Sequence, residues 1–317
     1  MSESVQQTTI EFPSHDGAST IRGVVWQPAG HEPIGIVQLI HGMAEHIERY
    51  EPFARFLVEH GYLVCGHDHI GHGHSVSDRE QLGHMPLRDG ADVLIEDVDT
   101  MRIAISGAFP NIPYFMFGHS MGSFVLRVYL TRYGKGLEGA VICGTGHHLP
   151  VVSMAGNALT KVLAKFQGET AHNEFIHNLV DGGFVRSVKN PRTPYDWISA
   201  NEENVDAYAA DDLNGFSFTL GGYAALTHLT RLAANLELAK CIPHTLPLLF
   251  IAGADDPVGA KGRGVKNAAD LMYRAGVKNV EVILYEGMRH EILNEKDAMH
   301  VFHDVLYWLT EQQEQTS

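Results

Sequence analysis

The residue whose setting most favours chemistry is Ser120, which lies between two glycines in the sequence GHSMG at 118–122. An apolar run at 114–117 precedes this sequence, and a segment compatible with a helix begins at Ser123. The two glycines permit a sharp turn between a strand and a helix, because they have no Cβ atom where the backbone reverses. Such a turn exposes the Ser120 hydroxyl as a nucleophile, and the main-chain N–H of Met121 would face a developing oxyanion.

A serine nucleophile needs a base to accept its proton and an acid to orient that base. His290 follows the last predicted strand and can supply the imidazole. The loop after the preceding predicted strand holds two adjacent carboxylates, Asp255 and Asp256, and the spacing does not choose between them. Another predicted strand ends in HGMAEH at 41–46, where the amide of Met43 is the candidate second oxyanion donor.

Short apolar runs alternate with amphipathic segments along most of the chain, which predicts a mostly parallel sheet with helices on both faces. The predicted strands are an opening hairpin at 8–12 and 21–26, followed by 34–40, 62–65, 114–117, 139–144, 248–252 and 280–285. The predicted helices are 50–60, 87–109, 124–133, 262–275 and 295–309.

The alternation stops between residues 147 and 242, where only helix-like pieces occur. We therefore predict a core of residues 1–146 and 243–317, with 147–242 inserted as a cap that closes over Ser120. Most aromatic side chains of this insertion are expected to form its own core. They are Phe166, Phe175, Phe184, Trp197, Phe216, Phe218 and Tyr223.

The composition narrows the possible partners and the location. Of the 317 residues, 44% are apolar and 19% are charged, as in a globular protein. The formal charge of −15 opposes binding to nucleic acid or to an anionic membrane surface and favours a neutral small-molecule substrate. No apolar run approaches the roughly 20 residues that span a bilayer, and the N-terminal residues lack the pattern of a signal peptide. With three scattered cysteines, this predicts a cytoplasmic protein with reduced thiols.

The sequence HDHIGHGHS at 67–75 contains four histidines, which raises the alternative of a metal site. Metal ligands must converge on one point, whereas alternating histidines in a glycine-rich turn mostly diverge. The pattern favours a tight turn in which Asp68 and Ser75 bond to the backbone while Gly71 and Gly73 take positive φ. No metal and no cofactor is therefore expected.

Two neighbours of the candidate residues are assigned other roles. His119 is expected to bond beneath the turn that holds Ser120, because the turn directs its flanking side chains away from the nucleophile. Arg289, beside His290, is expected to be a surface charge.

With these segments in place, the chain resembles the monoglyceride lipase and lysophospholipase-like branch of the α/β-hydrolases, also called serine aminopeptidase S33-like. The resemblance rests on HGMAEH at 41–46 with Arg49-Tyr50 after it, HDHIGHG at 67–73, GHSMG at 118–122 and YEGMRH at 285–290. It implies the α/β-hydrolase fold, with Ser120 as the nucleophile and His290 as the base. It also implies oxyanion donors from the main-chain amides of Met43 and Met121.

The resemblance also implies which acid orients the base. In this family the acid lies three residues after a glycine that ends a strand, and that position after Gly253 is Asp256. Within the predicted cap, RTPYDW at 192–197 and DDLNGF at 211–216 are similar to bacterial lysophospholipase-like members. The cap departs from the animal monoglyceride lipases, so their acyl-chain tunnel is not implied.

These observations predict a cofactor-free carboxylic ester hydrolase that acts through an acyl-enzyme on a monoacyl lipid or a similar small ester. One alternative is an S33-like aminopeptidase, in which carboxylates of the cap hold the free amine of the substrate. The candidates for that role are Glu202, Glu203, Asp206, Asp211 and Asp212. A second alternative is a small-molecule receptor that retains the three catalytic residue types.

Overall fold

The computed structural model describes residues 5–147, 149–180 and 182–316. Within these residues, one sheet of eight strands runs in the order β1-β2-β4-β3-β5-β6-β7-β8. The strands are β1 (Val5–Pro13), β2 (Thr20–Pro28), β3 (Gly35–Ile40), β4 (Tyr62–His67), β5 (Tyr114–His119), β6 (Gly139–Cys143), β7 (Leu248–Gly253) and β8 (Val280–Tyr285). Strands β1 and β2 form the predicted antiparallel hairpin, and from β4 to β8 all neighbouring pairs are parallel.

The helices lie between the strands and in one long insertion. They are α1 (Glu51–Glu59), α2 (Gly90–Ala108), α3 (Met121–Tyr133), α4 (Pro150–Gln167), α5 (Glu174–Val180), α6 (Gly182–Val185), α7 (Glu202–Ala210), α8 (Leu220–Ala233), α9 (Leu236–Ala239), α10 (Arg263–Ala275) and α11 (Ala298–Thr316). The five predicted helices correspond to α1, α2, α3, α10 and α11, although α2 begins at Gly90 and α11 runs from Ala298 to Thr316. No bounds were predicted for α4 to α9.

The hydrophobic core has two layers because the central strands are buried on both faces. Strands β3, β5, β6 and β7 are buried at every position, as expected for parallel strands covered by helices on either side. Apolar residues of α2, α3 and α10 pack on one face of the sheet. Those of α1 and α11 pack on the other. The helices therefore hold the strands in place from both faces, and the loops at the carboxyl ends of the parallel strands start from this rigid sheet.

Helices α4 to α9 lie in sequence between β6 and β7, where the alternation of strands and helices was expected to stop. Helix α8 joins this insertion to the core, because its buried residues Ala225 and Leu229 belong to the same apolar cluster as α2 and α3. Among the residues described, no helix combines the length and the apolar character needed to cross a membrane.

Candidate active site

Ser120 occupies a strained turn between a strand and a helix. Strand β5 ends at His119, helix α3 begins at Met121, and Ser120 between them has φ 53° and ψ −118°. A Cβ atom on Gly122 would lie 2.1 Å from the carbonyl oxygen of Ile40, so only glycine fits there. The strand, turn and helix lie where the sequence predicts them, and the observed strain is typical of a functional site.

Three predicted side chains form one hydrogen-bonded series. The Nε2 atom of His290 lies 2.8 Å from the Oγ atom of Ser120. The Nδ1 atom of the same ring lies 3.0 Å from Oδ2 of Asp256. The loops after β7 and β8 supply Asp256 and His290, and both side chains are buried. Parallel neighbouring strands bring these loops and the turn after β5 to the same edge of the sheet, which explains the convergence of distant residues.

The structure also distinguishes the two adjacent carboxylates. Asp256 is fully buried, and its Oδ1 atom accepts a 2.8 Å hydrogen bond from the amide of Val258. Asp255 is exposed, and its carboxylate lies 4.0 Å from Nζ of Lys261. Of these two carboxylates, it is Asp256 that contacts His290. An imidazole held in this way can accept a proton from a serine hydroxyl while the carboxylate stabilises the imidazolium that forms.

One predicted oxyanion donor follows Ser120 in the chain, and the other belongs to the loop after β3. Met121 is the first residue of α3, so its amide has no partner within the helix. The loop after β3 carries Met43, and its preceding residue Gly42 approaches the serine so closely that an added Cβ atom would lie 3.0 Å from Cβ of Ser120. Both amides are therefore near the nucleophile, and their role as oxyanion donors stays a prediction.

A buried carboxylate, Glu45, supports the loop that carries Met43. Its Oε1 atom accepts hydrogen bonds from the amide of Gly42 and from the hydroxyl of Tyr50, the latter at 2.8 Å. Its Oε2 atom accepts a 2.7 Å bond from Arg49. Burial alone would raise the pKa of Glu45, but the hydrogen bond and charge of His119, with the charge of Arg49, hold that pKa well below its usual range. Glu45 therefore stays ionised.

Arg49 connects this carboxylate to a second one beside His290. Its guanidinium donates two 2.7 Å hydrogen bonds to the carboxylate of Glu291 as well as the bond to Glu45. The side-chain amide of Asn204, in helix α7, donates a further 2.7 Å bond to Glu291. Burial opposes ionisation of Glu291, and the charge and hydrogen bonds of Arg49 reverse that effect and lower its pKa. One guanidinium thus joins the loops after β3 and β8.

His119 lies beneath Ser120, as expected. Its Nε2 atom is 3.2 Å from the main-chain carbonyl oxygen of His290, which can only accept, so this nitrogen carries a proton. Its Nδ1 atom lies 3.2 Å from Glu45 and 2.9 Å from the hydroxyl of Tyr50. Burial disfavours the imidazolium, but Glu45 outweighs it and raises the pKa of His119. His119 therefore braces the loop of His290.

Sequence reasoning missed the structural role of four residues in this buried network: Glu45, Arg49, Tyr50 and Glu291. Their positions in the sequence could have indicated this role. The first three lie in or just after HGMAEH at 41–46, and Glu291 adjoins His290. Their burial, and not their residue types, marks them as part of the site.

The histidine-rich segment forms the predicted turn. The carboxylate of Asp68 accepts two hydrogen bonds from main-chain amides, at 2.7 and 2.8 Å. The hydroxyl of Ser75 accepts one from an amide at 2.9 Å and donates one to the carbonyl of Asp68 at 2.7 Å. Gly71 and Gly73 have φ of 71° and 48°. In the parts of the chain that the structure describes, no group of three or more His, Cys, Asp or Glu side chains is arranged to hold a metal ion.

The expectation that Arg289 is a surface charge is wrong. Its side chain is half-buried and donates hydrogen bonds to the main-chain carbonyls of Asp196 and Ser199, the second at 3.0 Å. Both acceptors belong to the insertion between β6 and β7. No residue type signals this contact, because every residue supplies a main-chain carbonyl.

The aromatic side chains of the insertion differ in their surroundings. Phe218 and Tyr223 are buried, but in the apolar cluster that also contains residues of α2 and α3 and not in a separate core of the insertion. Phe166 and Phe175 are 81% and 64% exposed, so the expectation is wrong for them. The ring of Trp197 contacts that of His290, with 5.2 Å between the ring centroids.

Known proteins resemble this chain over nearly its whole length. It is 30% identical to a monoacylglycerol lipase of Mycolicibacterium smegmatis over 293 residues, which cover 90% of this chain and 91% of that protein. It is 28% identical to the monoglyceride lipase of Homo sapiens, over 90% of this chain and 85% of that one. Among solved structures, a thermostable carboxyl esterase from Bacillus coagulans in complex with glycerol superposes with a TM-score of 0.88 and 29% identity, covering 97% of this chain and 99% of that chain.

The family described as serine aminopeptidase, S33, matches residues 31–297. This match covers most of the chain, and the TM-score of 0.88 shows that the carboxyl esterase shares the fold. The chain therefore belongs to the serine aminopeptidase S33 family and has the α/β-hydrolase fold.

Proposed function

We propose that the protein is a carboxylic ester hydrolase that cleaves monoacylglycerol, a lysophospholipid or a similar small ester through an acyl-enzyme. The observation that carries the proposal is the hydrogen-bonded series from Ser120 through His290 to Asp256. The likeness to monoacylglycerol lipases and to a carboxyl esterase supports the reaction class. No cofactor is required, because the three side chains supply nucleophile, base and orienting acid.

In the proposed reaction, Ser120 Oγ attacks the ester carbonyl carbon while Nε2 of His290 takes the hydroxyl proton over 2.8 Å. Asp256 holds the imidazole and stabilises its protonated form. The amides of Met43 and Met121 donate hydrogen bonds to the oxyanion of the tetrahedral intermediate.

The ester bond breaks when His290 gives its proton to the leaving alcohol, which leaves the acyl group on Ser120. A water molecule then attacks the acyl carbonyl as His290 takes one of its protons. Return of that proton to Oγ of Ser120 releases the carboxylic acid and regenerates the enzyme. The same imidazole thus serves both half-reactions.

We further propose that residues 147–242 form a cap over this site and that 1–146 and 243–317 form the core. The contact of Trp197 with His290 supports the first assignment. Helices α4 and α5 also carry exposed apolar side chains, which favour a substrate with an acyl chain over a small polar ester. These residues are Val151, Val152, Met154, Val162, Phe166, Phe175 and Leu179.

The aminopeptidase alternative is less well supported. Of the five carboxylates considered for binding a substrate amine, most face a basic side chain of the protein itself. Asp211 lies 2.9 Å from His46, Asp212 lies 2.7 Å from Arg79, and Asp206 lies 2.9 Å from Arg192. Glu202 lies 3.9 Å from the same Arg192.

The cytoplasmic location stays a prediction from the sequence.

A panel of p-nitrophenyl esters and monoacylglycerols of graded chain length tests the proposal, with prolyl-naphthylamide as the peptidase substrate. We expect ester turnover and labelling of Ser120 by a fluorophosphonate probe, located by mass spectrometry. Labelling that persisted in Ser120→Ala would contradict the assignment of the nucleophile. Hydrolysis of prolyl-naphthylamide in preference to all esters would favour the aminopeptidase, and ligand-dependent thermal shifts without turnover would favour the receptor.

A further inference from the structure

A short segment of the insertion, residues 196–201, lies directly on the loop that carries His290. We name residues 196–201 the strap and residues 288–295 the base loop. The strap precedes helix α7, and the base loop follows strand β8. Although almost a hundred residues separate them in sequence, hydrogen bonds join them along their length.

Arg289 and Glu291, the two neighbours of His290, both bind the strap through its main chain. The guanidinium of Arg289 donates to the carbonyl oxygens of Asp196 and Ser199. The amide of Glu291 donates a 2.7 Å hydrogen bond to the carbonyl of Ile198. The two residues that flank the proposed base are therefore held by three carbonyl groups of the strap.

Glu295 fixes the other end of the same contact. Its buried carboxylate accepts hydrogen bonds from the amides of Ala200 and Asn201, at 2.8 and 3.1 Å. It also accepts a 2.9 Å bond from the amide of Arg289 within the base loop. The side chain of Asn201 donates a 3.1 Å bond to the carbonyl of Asn294. Because nearly all strap groups involved are main-chain groups, the contact depends on the strap's conformation.

Trp197 is the strap residue that reaches His290 itself. The indole and imidazole centroids lie 5.2 Å apart with an angle of 38° between the ring planes. The indole also packs against the ring of Phe184, with 4.9 Å between the ring centroids. His290 is only 3% exposed. The indole thus limits the tilt of the imidazole and separates it from bulk water.

We propose that Trp197 is a positioning residue that holds His290 in the plane joining Ser120 and Asp256. The hydrogen bonds at the two ring nitrogens fix the ends of the imidazole. The rings of Trp197 and His119, whose centroids lie 5.2 and 4.7 Å from that of the imidazole, limit its tilt. The strap is then a constant part of the catalytic framework, and any opening of the cap occurs elsewhere in the insertion. This inference rests on the proposed function, because it assigns His290 the role of base.

The test compares kcat and KM for p-nitrophenyl acetate, a substrate too short to probe an acyl-chain site. We expect Trp197→Ala to lower kcat roughly ten- to a hundredfold with KM changed less than about threefold, because misplacing a catalytic group by about 1 Å has effects of this size. Trp197→Phe keeps an aromatic face and should retain kcat within about threefold. Tyr273→Ala is the control, because it removes an aromatic ring that is 70% exposed and lies in α10, outside the insertion.

A second readout does not depend on turnover. The proton between Nδ1 of His290 and Asp256 is expected to give a low-field ¹H resonance that is absent in His290→Gln. Trp197→Ala should broaden this resonance by admitting water, whereas Trp197→Phe and Tyr273→Ala should retain it. A merely structural role for Trp197 would lower the melting temperature without changing this signal in the folded protein.

Wild-type kcat together with an unchanged low-field resonance in Trp197→Ala would overturn the inference. If Trp197→Ala does not fold, Trp197→Leu replaces it, with the same expected loss because leucine lacks the flat ring face. A wild-type protein that shows neither ester turnover nor fluorophosphonate labelling would refute the proposed function. The resonance would still report whether Trp197 positions His290, so the two failures are distinguishable.

Discussion

Replacement of Glu45 by glutamine removes one negative charge from the buried network without changing the size of the side chain. Glutamine can still accept hydrogen bonds from Gly42 and Tyr50 through its carbonyl oxygen. In that orientation its NH₂ group faces the guanidinium of Arg49, and in the opposite orientation the NH₂ group faces the amide of Gly42 and the ring of His119. In both orientations Arg49 keeps only one of its two carboxylate partners, and in the second the amide of Gly42 also loses its acceptor.

The size of the effect follows from the burial of the groups involved. Breaking a buried ion pair by removing one partner costs about 3–5 kcal/mol. The second carboxylate on Arg49, that of Glu291, remains and compensates part of this cost. We therefore expect Glu45→Gln to lower the free energy of unfolding by about 3 kcal/mol. Because Glu45 also holds the loop of Met43, we expect kcat to fall about a hundredfold, as when one oxyanion donor is lost.

Urea unfolding at two pH values and ester kinetics provide the assay. The pKa of Glu45 lies well below its usual value of 4.5 in the folded protein. Its contribution to stability is therefore present above about pH 4.5 and is lost as the pH falls through the lowered pKa. The stability difference between wild type and Glu45→Gln should shrink accordingly in acid. Glu48→Gln is the control. Glu48 is partly exposed and its ion pair with Arg22 is long, at 3.5 Å, so its loss should change the free energy of unfolding little.

Two results would refute this reasoning. If Glu45→Gln unfolds within about 0.5 kcal/mol of wild type at neutral pH, the network does not contribute to stability as argued. If the variant is destabilised but retains wild-type kcat, Glu45 does not position the loop of Met43.

Three further predictions follow from the site and the sheet. Ser120→Ala should abolish ester turnover and fluorophosphonate labelling while changing the melting temperature by only a few degrees; residual turnover at the wild-type rate would exclude Ser120 as the nucleophile. Gly122→Ala should lower the free energy of unfolding by about 3 kcal/mol, because its Cβ atom would lie 2.1 Å from the carbonyl oxygen of Ile40; thermal unfolding measures this, and a wild-type melting temperature would contradict it. Burial lowers the pKa of His67 to about 3 and that of His72 to about 4. Because these values lie below the usual 6.5, the two histidines should cost stability as the pH falls from 6.5 toward 4, up to about 1.4 kcal/mol per residue and pH unit. Urea titrations of wild type and His72→Gln measure this slope, which should be smaller in the variant.

The sequence predicts those features of the fold that depend on local sterics and burial. The turn around Ser120 is predictable because Gly118 and Gly122 occupy positions where a Cβ atom has no room. The buried strands are predictable because their apolar runs have no polar alternation. Spacing alone could not choose between Asp255 and Asp256, since the direction of each side chain depends on the path of the loop after β7.

Long-range contacts to the main chain account for most of what the sequence did not reveal. Arg289 binds carbonyl groups 93 and 90 residues away, and such acceptors have no residue type to identify them. Residue type likewise did not indicate that Phe166 and Phe175 lie on the surface, because the extent of packing around each helix is set by its neighbours. The convergence of Ser120, His290 and Asp256 was thus predictable, and the residues that support them were not.

The hydrogen bonds between the strap and the base loop limit which parts of the insertion can be exchanged with those of a relative. A chimera that takes residues 147–242 from a relative keeps the carbonyl acceptors of Arg289 and the two amide donors to Glu295 only if the new segment adopts the conformation of the strap. Each orphaned polar group would cost about 1–3 kcal/mol. Grafts that aim to alter substrate preference should therefore exchange helices α4 to α6 alone and leave residues 196–201 with the native scaffold.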